Sequence, residues 1–141
     1  MMNGLKILPT RSDHVPTWIN ANILDQLWKV DKGLYKECWV GDPIRNWFEF
    51  KDKKKYAFKT ADAHIYDQDN SRFLNTPYAC FTNGRHRSRW LMSLGFEEIP
   101  IGLKDRCFKR ALLLGIPVRR VADNDTLPLP KDIILLFDIN E

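Results

Sequence analysis

The residues best able to do chemistry fall together in one octapeptide, Thr82-Asn83-Gly84-Arg85-His86-Arg87-Ser88-Arg89. It follows a β-rich run, Pro77 to Thr82, and precedes Trp90, Leu91 and Leu94 at helical spacing, so it occupies a strand-to-helix junction. The first turn of a helix presents unpartnered backbone N–H groups and the positive end of the helix dipole, and phosphates bind there. Gly84 removes the side chain that would hold a ligand away from the backbone. On the helix Arg85 and Arg89 share a face at four-residue spacing, His86 and Arg89 lie three apart, and Arg87 falls on the side of Trp90 and Leu91 that meets the sheet. The amides with two arginines, at roughly 1.5–3 kcal/mol per charge-assisted hydrogen bond, give about 5–9 kcal/mol before ordering costs, which ends near micromolar binding. His86 has an ordinary pKa near neutrality and suits acid–base work, and its cationic neighbours are expected to keep it neutral. The plainer alternative makes Arg85 and Arg89 solvated helix charges and Arg87 a buried residue paired with a distant acid such as Asp62.

Other polar groups read more simply. His14 and His64 are expected to be ordinary surface or strand histidines, and three scattered histidines make no metal site. Asp67, Asp69 and Asn70 lack the glycine and the distal glutamate of a calcium loop, so they are expected to form a turn. Asp62 alternates with His64 on one strand face, where a divalent cation is conceivable and a solvent-facing carboxylate is the commoner case. Cys80 reads as a small core residue. Cys38, Cys80 and Cys107 fit neither a disulfide framework nor a paired-cysteine zinc site. Trp18, Trp28, Trp39, Trp47 and Trp90 read mostly as core, with base stacking open to one of them at most. The run Lys51 to Lys55 reads as a solvated turn that could track a nucleic-acid backbone.

Positioning the octapeptide requires a mixed α/β domain. A helix capped by Asn20 or Asn22 is expected over Ile23, Leu24, Leu27 and Trp28, stopped by Asp31-Lys32-Gly33. A strand is expected over Tyr35 to Val40, a short helix at Ile44 to Phe48, and strands at Tyr56 to Phe58 and Ala63 to Tyr66. After the octapeptide helix, capped by Asn83 and stopped by Gly95, Ile99 to Leu103 completes a strand–helix–strand of βαβ size. A helix over Asp105 to Leu114 and strands at Val118 to Val121 and Ile133 to Ile139 follow. With 141 residues, 44% of them apolar, one domain over 1–141 is the expectation. The longest apolar run, Ile133 to Phe137, is far short of the roughly 20 residues of a membrane helix, and the N-terminus lacks a secretory pattern, so a cytoplasmic protein is expected. The net charge of +4 is unevenly placed: Arg85 to Arg120 holds nine basic and three acidic residues, a surplus of six, which implies an anionic partner.

The run Phe81 to Leu91, followed by Gly95 and by Glu98-Ile99-Pro100-Ile101, resembles the signature of the ParB/sulfiredoxin superfamily, in which a strand leads into a Gly-x-His-Arg or Gly-x-Arg-Arg helix start. Within it the likeness is to the plasmid fertility-inhibition factors and related bacterial ParB-like proteins. Leu27 to Tyr35 and Arg45-Asn46-Trp47-Phe48 resemble that branch more loosely, so the likeness covers about residues 20–103. The resemblance implies a ParB/sulfiredoxin-like fold whose helix start binds the phosphates of ATP or CTP, with Mg²⁺ as a further expectation. It places Gly84, His86 and Arg87 on the phosphates, with Asn83, Arg85 and Arg89 beside them, and gives His86 and Arg87 any catalytic part in weak ATPase or DNase activity. It further implies action in plasmid conjugation, fertility inhibition or DNA maintenance. The alternative is a non-catalytic module that docks on a conjugation-machinery protein or on DNA through its basic face. Sulfiredoxins carry their catalytic cysteine where this chain has Arg85, and partition-type ParB proteins commonly carry Glu there with a downstream helix-turn-helix. Neither sulfinic-acid repair nor clamp formation on centromere DNA is therefore expected.

Overall fold

A computed structural model describes residues 4–52, 55–130 and 132–133. The elements run β1 (Leu5–Leu8), β2 (Val15–Asn20), α1 (Ala21–Lys29), a 3₁₀ turn (Arg45–Trp47), β3 (Phe48–Asp52), β4 (Lys55–Lys59), β5 (Ala61–Tyr66), β6 (Tyr78–Asn83), α2 (Arg85–Ser93), β7 (Glu98–Leu103), α3 (Asp105–Leu113), β8 (Val118–Arg120) and β9 (Thr126–Leu127). They form two mixed sheets, of order β3-β4-β1-β9 and β6-β5-β7-β2-β8, so the class is mixed α/β as the sequence implies. The chain crosses from one sheet to the other at Thr60, between β4 and β5.

Each helix starts and stops for a local reason. The Asn20 side chain accepts the Ile23 N–H at 2.9 Å and caps α1, which buries Ala21, Leu24 and Trp28. Gly95 and Gly115, with φ of +83° and +76°, end α2 and α3. α1 and α2 lie together on one face of the five-stranded sheet: Trp28 meets Phe81 edge-on with ring centroids 4.7 Å apart, and the Arg89 guanidinium lies 4.8 Å over the Trp28 ring. Phe81 is the register partner of Ala63, and the next pair, His64 and Cys80, faces α3, where His64 meets Cys107. Trp90 reaches from α2 to the smaller sheet, against Phe58, Phe48 and Trp47. Leu5, Ile7 and Phe58 of that sheet therefore share one buried cluster with Ile19, Ile65, Ile99 and Ile101 of the larger one.

Three expectations are corrected. Tyr35 to Val40 forms no strand. Its polar groups serve the helices, as the Tyr35 hydroxyl donates to Asp25 at 2.8 Å and the Lys36 carbonyl accepts from Arg89 at 2.6 Å. The unit β6-α2-β7 is no parallel βαβ, because β5 lies between the two strands, antiparallel to β6 and parallel to β7. Part of the Lys51 to Lys55 run belongs to β3 and β4, while residues 53–54 lie outside the described residues. The strand expected at Ile133 to Ile139 lies, beyond Ile133, outside them too. β1, β2 and β9 are not among the elements expected from the sequence, although β2 is an inner strand of the larger sheet. No described helix is long and apolar enough to cross a membrane.

Candidate anion-binding site

α2 begins at Gly84, whose φ of +80° and ψ of +21° place it in the left-handed region that favours glycine. Its carbonyl accepts the Ser88 N–H at 2.9 Å, the first bond of the helix, and no side chain caps the preceding amides. Asn83 is thus not the cap expected of it. Its Nδ2 donates to Asp62 at 2.9 Å, and its Oδ1 accepts from the Asp62 N–H and from Arg87. The other two helix starts differ: Asn20 caps α1, and Asp105 places a carboxylate in the first turn of α3. α2 has neither cap nor acidic residue there, so its amide donors and dipole are opposed by nothing of the helix's own.

These amides open into a cavity of about 380 Å³ lined by Phe81, Thr82, Asn83, Gly84, Arg85 and His86. Arg85 and His86 are exposed. The His86 pKa is lowered first by partial burial, although the side chain reaches the surface, and then by Lys36 and Arg85. The expectation of a neutral ring holds in direction, but cover by protein comes before the cationic neighbours as its cause. The half-buried Trp39 stands beside it, ring centroids 6.1 Å apart and nearly edge-on.

Arg87 is 8% exposed and points beneath the turn. Its Nη1 donates to the Lys59 carbonyl at 3.0 Å and reaches Thr10 Oγ1 at 3.4 Å, and its Nη2 reaches Asn83 Oδ1 at 3.4 Å. A Cβ on Gly84 would stand 2.7 Å from Arg87 Nη2 and 2.5 Å from Ala61 Cβ. Asp62, expected to face solvent, is wholly buried and meets Arg11 at 3.8 Å. Burial lowers the Arg87 pKa and the charge of Asp62 raises it, so the two feel each other while Asn83 carries the hydrogen bonds between them. Thr60 Oγ1, Asp62 Oδ1, Arg87 Nε and Ser88 Oγ are buried without a hydrogen-bond partner, and all four lie on the two segments that meet at Gly84. Orphaned buried polar atoms are rare in folded proteins.

Arg89 faces away from the turn. It is 8% exposed, its Nη2 donates to Asp25 at 2.5 Å and its Nε to the Lys36 carbonyl at 2.6 Å, and it stacks over Trp28 and Tyr35. The shared face expected of Arg85 and Arg89 is not a shared site. With Arg87 and Arg89 both engaged by protein, the amides and Arg85 remain, and about two charge-assisted bonds amount to roughly 3–6 kcal/mol, in the millimolar range once ordering is counted.

The basic surplus is likewise smaller in space than along the chain. Of the nine basic residues, Arg89, Lys104, Lys109, Arg110, Arg119 and Arg120 each lie within 4 Å of a carboxylate. Among the described residues Arg85, Arg87 and Arg106 have no acidic partner, and two of these three belong to the turn. Ion pairs with Asp25, Asp13, Asp67 and Asp125, all outside the counted segment, were invisible to a running sum of charge.

The remaining candidates fall elsewhere. His14 is buried and hydrogen-bonded to Asp13 at 2.8 Å. His64 accepts at Nε2 from Arg110 at 3.1 Å and lies 3.6 Å from Cys107 Sγ. Asp67 accepts the Asn70 N–H and side-chain amide, as a turn former does. Burial raises the Cys80 thiol, which fits a core residue. No group of three His, Cys, Asp or Glu among the described residues could hold a metal ion. For Mg²⁺ this decides little, since that ion keeps most of its waters and is bound largely through substrate phosphates. Sequence reasoning names Trp39 only as one of five tryptophans of which one at most could stack on a base, and Lys36, on the same irregular segment, together with Thr10, Arg11 and the Lys59 carbonyl, carries no motif that would single it out.

No family model matches the sequence, and no solved structure matches the fold. A curated relative, Excisase C of Nostoc sp. (strain PCC 7120), is 31% identical over 111 residues, a match covering 76% of this chain and 21% of that protein. The chain thus spans about a fifth of the length of this relative.

Proposed function

We propose that this chain is a phosphate-binding domain of a DNA-processing system, and that the Gly84 turn with Arg85 and His86 is where it holds the phosphate of a nucleotide or of DNA. The observation that carries this reading is the uncapped start of α2, free of acidic residues and opening into a cavity rimmed by Arg85 and His86. The similarity to a protein named as an excisase points toward DNA. The resemblance of the octapeptide to the ParB-like signature points toward ATP or CTP, in conjugation, fertility inhibition or DNA maintenance. Under this reading Arg87 is a positioning residue that holds Gly84 from below, and Arg85 and the backbone amides touch the ligand. Asn83 joins Arg87 to Asp62, and Arg89 ties α2 to α1. A hydrolytic role for His86, with ATPase or DNase activity, would draw on its lowered pKa.

Thermal shift with ATP, CTP, pyrophosphate and a short DNA, with and without Mg²⁺, tests the reading. Stabilisation by phosphate-bearing ligands that is lost in Arg85→Ala supports it, and no shift with any ligand removes it. A second reading, a docking module with no ligand of its own, is favoured by one observation: Arg87 and Arg89 already have protein partners.

A further inference from the structure

Phosphate contacts through a few amides and one arginine bind weakly, so a useful ligand needs a second handhold beside the phosphate. His86 lines the cavity, and the Trp39 ring, beside it and outside the lining itself, meets it nearly edge-on, so that the two make an L-shaped aromatic corner. The indole is held: its Nε1–H donates to the Gly41 carbonyl at 3.0 Å, and its ring leans on Trp47 with centroids 5.3 Å apart. Its polar edge is therefore satisfied. Among the tryptophans Trp39 is the one not buried, and it sits on the irregular segment that the Arg89 bond at Lys36 fastens to α2. One residue further along α2, Arg87 carries a buried Nε without a hydrogen-bond partner, and its Nη2 lies against Gly84.

We infer that the Trp39–His86 corner is a base-stacking subsite, and that the ligand of the Gly84 turn is an unpaired base carrying its phosphate, as in a free nucleotide or single-stranded nucleic acid. This rests on the phosphate reading above and narrows it. A flat, half-exposed ring whose polar edge is already satisfied gains from stacking on any base, because every base has a π face. A duplex hides those faces within its own stack, so paired DNA offers the turn its phosphates alone. The lowered pKa of His86 fits the same use, since a neutral imidazole meets a base without drawing in a counter-ion.

Fluorescence anisotropy and calorimetry with pyrophosphate, a mononucleotide, a single-stranded oligonucleotide and its duplex separate the sources. The single strand and the mononucleotide are expected to bind more tightly than pyrophosphate. Trp39→Leu should weaken both by roughly ten-fold, the scale of one lost base stack, while leaving pyrophosphate unchanged. Trp39→Phe keeps an aromatic face and should retain most of the affinity, while losing most of the tryptophan quenching that the single strand causes in the parent. That pair of signals stands even if Trp39→Leu fails to fold. Equal binding of duplex and single strand, or quenching of the same depth in Trp39→Phe, overturns the stacking subsite and leaves the phosphate site standing. Absence of binding by every phosphate ligand, pyrophosphate included, overturns the site itself.

Discussion

Arg87 lies directly against Gly84, so close that a Cβ on residue 84 would fall 2.7 Å from its Nη2. The same guanidinium donates to the Lys59 carbonyl at the end of β4 and reaches Asn83 at the end of β6. One buried cation therefore joins the two sheets beneath the turn that starts α2, and the turn's shape depends on it.

Gly84→Ala should be far more damaging than Gly95→Ala. Both glycines have a positive φ, but the space beside Gly95 is open, whereas a Cβ at 84 meets Ala61 at 2.5 Å. The left-handed backbone costs each alanine about 1–2 kcal/mol, and overpacking should add a further 1–3 kcal/mol or so at residue 84. Urea unfolding of the two variants reads the difference, and equal losses would show that the crowding is relieved by a small shift.

Replacing Arg87 should loosen the fold before it touches a ligand. Arg87→Met removes the buried donor to the Lys59 carbonyl and to Asn83 Oδ1, a loss of about 1–3 kcal/mol. Arg87→Lys retains a charge without the fork, so midpoints should fall in the order parent, Lys, Met. A Met variant as stable as the parent would contradict the positioning role.

Breaking the Arg89–Asp25 pair should cost stability and spare the site. Both side chains are largely buried, so Arg89→Ala is expected to lose about 3 kcal/mol by leaving Asp25 uncompensated. Binding of pyrophosphate by the folded fraction should be unchanged. A fall in affinity with no change in stability would return Arg89 to the ligand.

Stability should decline on mild acidification because of His64. Burial first, then Arg106, Arg110, Lys104 and His14, depress its pKa from 6.5 to about 4. The unfolded chain takes up a proton that the folded chain refuses, so the contribution is intact above pH 6.5 and is lost as pH falls from 6.5 toward 4. Urea midpoints across that range should slope downward and flatten in His64→Asn, where the proton is gone from both states. An unchanged slope would place the acid sensitivity elsewhere.

The three helices were legible because each carries a periodic stripe and a glycine or polar residue at an end, Asn20, Gly95 and Gly115 among them. β2 was not, since Val15-Pro16-Thr17-Trp18-Ile19-Asn20 has a proline near its start and three successive buried residues, Thr17 to Ile19, in place of alternation. Tyr35 to Val40 carries strand-forming residues but no strand beside it, and cross-strand partners rather than propensity make a strand. At the site, Gly84, Arg85 and His86 stood out by type and spacing. The burial of Arg87 was legible as the plainer alternative, but its partner and the role of Arg89 were not, because the partners are a backbone carbonyl 28 residues back and a carboxylate 64 residues back. The inward turn of both lowers the phosphate affinity expected from the motif and shifts the discriminating contact to Trp39.

Amide chemical shifts followed by NMR during a pyrophosphate titration test the central claim most directly, because the site is made of backbone donors. The account predicts saturable shifts largest at Arg85, His86 and Arg87, and little change at the start of α3, where Asp105 already occupies the first turn. Shifts that grow without saturation, or that are as large at Asp105, Arg106 and Cys107, would contradict it.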